Sequence, residues 1–235
     1  MATAIGIGIA GDVFQTEAGI GAPSPAPSCT TGYSLEFDGI TEFAKGGIPP
    51  DLGGGGTGDF TISFWMKTPD STGGGVNQRI LDVEVGGVNQ WTLYVNGPAG
   101  YVQFTANPLV GGWSDGFNPY IIPNDTWVFI AYSVDRSGLA KWSVNGGSIN
   151  TKNVSSFPVN LSGGDLMYLG RNDNGQYFEG NLCHIAIWNA SLNLTKLGEL
   201  YNNTTGLCYA SDFSFSTNLK NYWPCFNPDG IFTNP

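Results

Sequence analysis

The sequence predicts an all-β fold, an antiparallel β-sandwich with one short C-terminal helix and extended N- and C-terminal arms. Three observations predict this class. The chain contains 35 Gly and 14 Pro, and only 12% of its 235 residues are charged, about half the share of an average soluble domain. Short apolar segments of period two alternate with turn residues, as in sandwiches. Finally, 7 Trp, 10 Tyr and 14 Phe supply the apolar bulk of a large core.

The first 31 residues differ from the rest, because they are rich in Gly and Ala and end in a proline-rich linker at residues 23–27. They contain too few large side chains to build a core of their own. We therefore expect an N-terminal arm that rests on the sandwich or on a neighbouring molecule. The side chains expected to make this assembly contact are Ile5, Ile7, Ile9, Val13, Phe14 and Ile20.

Residues 32–203 carry the sandwich pattern. The predicted strands cover residues 33–37, 60–66, 80–85, 91–95, 101–105, 127–133, 140–144, 166–169 and 182–189. Asn-Gly pairs at 96–97 and 145–146 supply positive φ at little cost and predict tight hairpins. Residues 204–235 mix aromatic residues with Asn, Ser and Pro, and we expect this tail to wrap back over the sandwich or a partner.

One segment, residues 191–201, breaks the β pattern. Leu194, Leu197 and Leu200 are spaced to share one face of a helix. Ser191 precedes this apolar series and is suited to cap the helix N-terminus. The spacing therefore predicts a short helix that forms a lid after the last core strand.

The charge of the chain restricts its partners. Nineteen acidic residues against nine basic ones give a formal net charge of -10, so nucleic acids and anionic membrane surfaces would be repelled. No segment approaches the roughly 18 apolar residues of a membrane span. The first ten residues contain no Lys or Arg, so we expect no secretory signal peptide.

The four cysteines are Cys29, Cys183, Cys208 and Cys225. They form no C-x-x-C pair, and the single histidine, His184, completes no familiar zinc spacing. Two disulfides are possible, because four cysteines can pair in three different ways. In the absence of an export signal, free thiols in apolar surroundings are the favoured interpretation.

Several motifs occur in a fixed order between residues 33 and 201. They are YSLEFDG at 33–39, FTISFWMK at 60–67, WTLYVNG at 91–97, WVFIAYSVD at 127–135, AKWSVNG at 140–146 and YFEGNLCHIAIWN at 177–189. In this order they resemble the laminin G-like, concanavalin A-like jelly-roll domain. The resemblance implies a jelly-roll sandwich with a short second strand and a helix after the last motif. It implies less about function, since this sandwich hosts lectins, adhesion modules, enzyme appendages and viral structural proteins.

The closing strand departs from the family pattern, because Cys183 and His184 stand where the family usually has Asp-Glu. Strict alternation would place Cys183, Ile185 and Ile187 on one face and His184 and Ala186 on the other. A carboxylate there could serve a metal or a salt bridge. A thiol on an apolar face is expected to pack instead.

Glycan-cleaving enzymes of this architecture use paired carboxylates, which the resemblance implies would follow an E-x-D-x-x-E pattern on one strand. The nearest cluster is Asp82-Val-Glu84, which lacks a third carboxylate. A nucleophilic triad is also absent, because no G-x-S-x-G turn accompanies His184. We therefore expect a protein that is not an enzyme.

Two kinds of binding site are predicted, one for Ca²⁺ and one for a glycan. No cofactor other than Ca²⁺ is expected. Carboxylates at strand ends are suited to Ca²⁺, which some related sandwiches bind through loop oxygens; they are Asp38, Asp135, Asp165 and Asp173. Loop aromatics could stack on the pyranose rings of a glycan; they are Trp113, Tyr120 and Tyr177. The competing interpretations are Asx turns that need no metal, and aromatic side chains that serve the core or a protein interface.

Two functions from different classes follow. The leading expectation is a non-enzymatic virion structural protein that decorates a capsid or forms part of a phage tail. It would be a homo-oligomer whose arm pairs with a neighbouring virion subunit, and its sandwich would serve display or adhesion to host glycans. The alternative is a secreted or cell-surface carbohydrate-binding or adhesion lectin module.

Overall fold

The computed structural model of the protein describes residues 4–6, 34–46, 51–86, 88–106, 112–116, 120–202 and 213–223. Within these ranges two β-sheets pack face to face, with one short α-helix. Every strand pair is antiparallel except the first, which involves the N-terminal arm. The predicted antiparallel β-sandwich is confirmed.

The first sheet contains seven strands, numbered here in chain order. They are β1 (Ala4–Gly6), β3 (Phe43–Gly46), β5 (Gln78–Val85), β6 (Val88–Asn96), β7 (Tyr101–Ala106), β8 (Ser114–Gly116) and β12 (Leu166–Leu169). Their order across the sheet is β1-β3-β12-β5-β6-β7-β8. The short strands β1 and β8 therefore form its edges.

The second sheet also contains seven strands. They are β2 (Leu35–Asp38), β4 (Phe60–Lys67), β9 (Val128–Val134), β10 (Leu139–Val144), β11 (Gly147–Asn153), β13 (Glu179–Trp188) and β14 (Leu219–Trp223). The order is β11-β10-β9-β4-β13-β14. Strand β2 pairs with residues 179–182 of β13 and β14 with residues 185–188, so the two lie end to end along one edge of β13.

The core between the sheets is rich in aromatic side chains. Phe104 of β7 lies 4.9 Å from Tyr132 of β9 and 5.8 Å from Phe60 of β4, measured between ring centroids. Tyr132 in turn stacks on Trp142 at 4.2 Å. All four side chains are fully buried. The strand alternation that predicted the sandwich therefore also identifies its core, because these residues occupy the inward positions.

Every predicted strand has a counterpart in the structure, with ends that differ by a few residues. The predicted Asn-Gly hairpin joins β10 to β11, where Asn145 and Gly146 adopt φ values of 49° and 76°. Strands β1, β8, β11 and β14 were not predicted, and β3 was expected only as the short second strand that the resemblance implies. In β11 no side chain is buried, so its sequence lacks the apolar alternation by which a strand is recognised.

The predicted helix is present as α1 (Leu194–Asn202), but its N-cap differs from the prediction. Asn193 Oδ1 accepts the backbone N–H of Lys196 at 3.0 Å, which is the contact of a capping side chain. Ser191, the predicted cap, instead places its hydroxyl 3.0 Å from that of Ser133. The N-cap therefore lies two residues later than predicted, and the helix begins at Leu194.

The buried face of α1 also starts later than predicted. Leu197 and Leu200 are buried, whereas Leu194 is 43% exposed. Leu194 occupies the first helical position, so it extends beyond the edge of the surface on which α1 packs. In the part of the chain that the structure describes, no helix is long and apolar enough to cross a membrane.

A β-bulge at His184 interrupts β13 and corrects the predicted alternation. Cys183 is opposite Trp65, but Ala186, three residues later, is opposite Ser63, only two residues along β4. His184 has a φ of 50° and accommodates the extra residue. Cys183 and Ala186 therefore share the outer face of the sheet, whereas strict alternation had placed them on opposite faces.

The His184 side chain holds β14 against β13. Its Nδ1 lies 2.5 Å from the Tyr222 hydroxyl, and the two rings stack with centroids 6.1 Å apart. Burial lowers the pKa of His184 to about 4. The imidazole is therefore neutral at pH 7 and serves as a packing and hydrogen-bonding group.

Only part of the predicted N-terminal arm falls within the described residues. Ala4, Ile5 and Gly6 pair in parallel with Phe43, Ala44 and Lys45 at the edge of the first sheet. The other predicted contact residues lie outside the described ranges; they are Ile7, Ile9, Val13, Phe14 and Ile20. Cys29, Cys208 and Cys225 lie outside them too, so the state of the thiols stays a prediction.

Candidate functional site

The outer faces of the two sheets differ. On the second sheet, Tyr201 of α1 stacks on Trp65 with ring centroids 5.7 Å apart. Phe215 packs against Trp188 of the same sheet at 5.3 Å, so aromatic side chains cover this face. On the first sheet, the positions that alternate with the core carry polar side chains. The central groups of this outer face, such as Asp82 and Thr92, are buried, whereas the outward side chains of β7 are partly exposed and accessible to a ligand.

Strand register aligns these polar side chains in a row across six strands. From β3 to β8, the row is Lys45, Tyr168, Asp82, Thr92, Thr105 and Ser114, each opposite the next. Opposed residues on neighbouring strands project from the same face of a sheet. We call this outward surface of the first sheet the polar face.

Near the β8 edge, the outward side chains of β6, β7 and β8 are uncharged amide and hydroxyl groups, and Lys152 of β11 reaches the same edge, where its Nζ donates to the Ser114 carbonyl at 2.8 Å. Asn96 Nδ2 donates to Gln103 Oε1 at 3.0 Å, and Gln103 Nε2 donates to Ser114 Oγ. The Thr105 and Ser114 hydroxyls are 3.0 Å apart. The partly buried Tyr101 flanks them, since it lies two residues before Gln103 on β7. We call these five uncharged residues the neutral strip.

Arg79 lies next to the neutral strip and is fixed on three sides. Its Nη1 donates to Thr92 Oγ1 at 3.0 Å, its Nε donates to Gln176 Oε1 at 2.8 Å, and its guanidinium carbon lies 4.5 Å from the centre of the Tyr94 ring. Burial lowers the pKa of Arg79, and the nearby Asp82 charge opposes that effect. Arg79 remains a cation at pH 7 and separates the neutral strip from a cluster of carboxyl groups.

In that cluster, Glu84 interacts with both Asp82 and Asp173. Asp82 is fully buried, and Glu84 is 4% exposed. Burial, and then contact with the two carboxylates, raises the pKa of Glu84 to about 7, while burial also raises the pKa of Asp82. The hydrogen bonds from Glu84 and Tyr168 lower the pKa of Asp173. Below pH 7, Glu84 is therefore mostly protonated.

A short hairpin at residues 171–177 carries Asp173 to this cluster. Arg171 Nη2 lies 3.2 Å from Asp173 Oδ1. The Arg171 guanidinium lies between two rings, 4.1 Å from the centre of Phe43 and 4.7 Å from that of Tyr168. Burial is the main cause that raises the pKa of Tyr168 to about 12, so its hydroxyl keeps its proton. These contacts attach the hairpin to the polar face.

The stability of the protein is expected to fall as the pH rises from about 4.5 to about 7, in part because of Glu84. Its folded-state pKa is raised from the ordinary value of 4.5 to about 7. In this range the folded protein keeps a proton that the unfolded chain has lost, so raising the pH favours unfolding. Glu84→Gln keeps a hydrogen-bond donor but does not ionise, and its melting temperature should decline less. Thermal unfolding followed by circular dichroism would check this, and parallel curves for the two proteins would contradict it.

The carboxylates predicted to bind Ca²⁺ lie in separate turns. Asp38 Oδ1 accepts the backbone N–H groups of residues 40–42 at 2.7–2.9 Å. Burial alone would raise its pKa, but these hydrogen bonds lower it. Asp135 Oδ1 accepts both the backbone N–H and the hydroxyl of Ser137, at 2.9 Å and 2.7 Å. Both are Asx turns, the interpretation that competed with a metal site.

The other two predicted ligands also have protein partners. Asp165 Oδ2 accepts the backbone N–H of Gly86 at 2.7 Å, and Asp173 belongs to the cluster with Glu84. Within the described ranges, no three carboxylate, imidazole or thiol groups converge in a way that could hold a metal ion. The structure does not bring the four predicted ligands together, and calcium binding stays a prediction.

The predicted glycan-stacking aromatics lie in three different environments. Trp113 is 3% exposed, and its Nε1 donates to the Tyr132 hydroxyl at 2.8 Å, so its ring belongs to the core and offers no open face. Tyr120 is partly buried and packs against the core. Tyr177 is partly buried opposite Arg171 in the hairpin. The three side chains do not form a common platform.

Neither the neutral strip nor Arg79 was predicted from the sequence. The sequence pattern that could have indicated the neutral strip lies in β7, where Tyr101, Gln103 and Thr105 are partly exposed and alternate with buried residues. This alternation predicts the strand, and the polar residue types at its outward positions indicate a surface that can form hydrogen bonds. The proximity of Ser114 depends on the pairing of β7 with β8, which the sequence alone did not predict.

Comparison with known proteins shows that the chain matches one family of β-sandwich domains. The family model described as the concanavalin A-like lectin/glucanases superfamily matches residues 47–197. No curated protein matches the sequence. A heptameric SAP-like pentraxin from Limulus polyphemus is 14% identical with a TM-score of 0.55, and the match covers 72% of this chain and 81% of the pentraxin.

Two further solved structures are similar over part of their length. A candidate carbohydrate-binding protein from Bacteroides ovatus is 15% identical with a TM-score of 0.57, over 81% of this chain and 50% of that one. The binding domain of botulinum neurotoxin serotype G is 17% identical with a TM-score of 0.51, over 63% of this chain and 36% of that one. This chain therefore spans half or less of these two chains. At such identities, the likeness shows the fold alone.

Proposed function

Because the chain belongs to the concanavalin A-like lectin/glucanases superfamily, we propose that it is a non-enzymatic binding module that recognises carbohydrate on its polar face. The observation that carries the proposal is the neutral strip, a row of amide and hydroxyl groups beside the partly exposed Tyr101. Sugar hydroxyls both donate and accept hydrogen bonds, as these groups do. The name of the Bacteroides ovatus neighbour points to the same class of ligand.

The neutral strip is preorganised for such a ligand. Gln103 uses one amide hydrogen on Ser114 and one carbonyl lone pair on Asn96. An amide side chain offers two donors and two acceptor sites, so half of its capacity remains for a ligand. Because neighbouring side chains already fix its orientation, binding would cost little side-chain entropy.

The carboxyl cluster supports the non-enzymatic part of the proposal. Glycosidases hold their two carboxyl groups about 5 Å apart when they retain configuration, and about 6.5–9.5 Å apart when they invert it. Here Asp82 is fully buried and Glu84 is 4% exposed, so neither carboxyl group is open to a glycosidic bond. We propose that the cluster attaches the 171–177 hairpin to the polar face.

A glycan array probed with the labelled protein tests the proposal. We expect binding to a subset of neutral glycans. Parallel arrays with added Ca²⁺ and with a chelator would test the predicted calcium dependence separately, and analysis of the bound glycans for cleavage products would test the absence of hydrolysis. An array without binding in either condition would contradict a carbohydrate ligand.

We further propose that the protein is a structural component of a virus particle. This proposal rests on the acidic, glycine-rich composition and on the N-terminal arm. If the arm anchors the protein to neighbouring capsid or tail subunits, deletion of residues 1–22 should abolish incorporation into particles. Quantitative immunoblotting of purified particles would measure this loss. Normal incorporation of the truncated protein would contradict the anchoring role, while glycan binding by the sandwich would be unaffected.

A further inference from the structure

The N-terminal arm reaches the sandwich through a minimal strand. Only three residues, Ala4–Gly6, pair with β3, and they do so in parallel. A parallel pair of this length makes few hydrogen bonds, and evenly spaced parallel bonds are slightly weaker than antiparallel ones. The pairing is therefore a small part of the interactions that stabilise the sandwich, and its loss leaves the two sheets otherwise intact.

The connection between β1 and the sandwich is long compared with the strand. Residues 7–33 separate Gly6 from the next described residue, Ser34. A fully extended chain of that length spans about 90 Å, and the ten-residue strand β13 is about 33 Å long. The length of the chain therefore does not restrict β1 to the β3 strand of its own molecule.

The acceptor is the same in every copy of the chain. Phe43, Ala44 and Lys45 offer one β3 edge in each molecule, and the register with β1 is defined by the strand pairing. Exchange between two copies replaces each pair with an identical one, so no contact is lost. The two arrangements differ in the connection, whose closure free energy depends only weakly on length, and in the translational and rotational freedom that two molecules lose on association.

We propose that Ala4–Gly6 of one copy pairs with β3 of a second copy, so that the arm links molecules of this chain by strand exchange. The partner is a second copy, because the edge that receives the strand already matches it in register. A high local concentration, as on a particle surface, favours the exchanged form. The proposal is independent of glycan binding, which takes place on side chains of the polar face.

Cysteine trapping tests the exchange. Gly6 and Lys45 are opposite each other in the pairing, and paired strand positions are close enough for a disulfide. One tagged protein would carry Gly6→Cys and a differently tagged one Lys45→Cys. After mixing and mild oxidation, we expect a covalent dimer that contains both tags, with a yield that rises with concentration.

The control pair combines Gly6→Cys with Lys220→Cys, since Lys220 is an exposed lysine on β14 of the second sheet. The Gly6–Lys45 mixture should give about tenfold more mixed dimer than this control, owing to templated proximity. Wild-type protein measures the background from the natural cysteines. The double variant Gly6→Cys/Lys45→Cys reports whether the strands pair within one chain.

Two outcomes would overturn the proposal. If the double variant forms only an internal cross-link and the mixture gives no more dimer than the control, β1 pairs only within its own chain. If neither sample forms the cross-link, then β1 does not pair with β3 in solution. Circular dichroism of each variant would establish that the sandwich remains folded.

Discussion

Replacing Trp113 with alanine is expected to lower the free energy of unfolding by about 3–5 kcal/mol, as for other buried Trp residues. Its ring lies 5.8 Å from Phe104 and 6.0 Å from Phe157, between centroids, and 4.9 Å from the Arg136 guanidinium. Removing it leaves a cavity in the core and deprives the Tyr132 hydroxyl of a donor. Chemical denaturation followed by tryptophan fluorescence would measure the loss.

Trp113→Phe is the matched control for this change. Phenylalanine keeps a large ring in the core but lacks the N–H that reaches Tyr132, so the cost should be smaller, about 1–2 kcal/mol. The pair of variants also distinguishes the two interpretations of Trp113. If Trp113→Ala left stability unchanged and abolished glycan binding, the ring would be a ligand platform and not a core residue.

Replacing Gln103 with alanine is expected to weaken glycan binding by about tenfold to a hundredfold, because truncation removes a ligand contact and the partner of Ser114. Tyr101→Leu should act in the same direction, since leucine keeps the apolar bulk that packs on the core and lacks a flat ring. Isothermal titration with the best glycan from the array would measure both losses.

The control for these variants is Thr151→Ala, an exposed position on β11 of the second sheet. Its affinity should equal that of the wild type. Melting temperatures close to the wild-type value would show that the losses arise at the site. If Gln103→Ala and Tyr101→Leu bind normally, the ligand does not occupy the neutral strip and the proposed position of the site is wrong.

Much of the fold could be predicted because the strands in the core show clear alternation. In β4, Phe60, Ile62 and Phe64 face inward and are fully buried. The unpredicted elements lack this signal: β11 has no fully buried side chain, and the bulge at His184 requires a positive φ in a residue that adopts it infrequently. Neither feature has a distinctive pattern in a single sequence.

The site was harder to predict than the fold, because it depends on contacts between distant parts of the chain. Glu84 and Asp173 interact across the pairing of β5 with β12 and the hairpin that follows β12. In the sequence, Asp173 was one of four strand-end carboxylates predicted to bind Ca²⁺, and Glu84 formed with Asp82 an incomplete set of catalytic carboxylates. The pairing order of the strands changes both interpretations, and it was not available from residue spacing alone.

The arrangement of β2 and β14 along β13 has a consequence for how the chain folds. One edge of β13 is closed by residues 35–38 and by residues 219–223, which lie near opposite ends of the chain. During synthesis, residues 185–188 of β13 keep unpaired N–H and C=O groups until β14 leaves the ribosome. Such an open edge is a template for aggregation, and closing it requires contacts of high contact order, which form slowly. The C-terminal residues therefore protect the nascent sandwich as well as complete it.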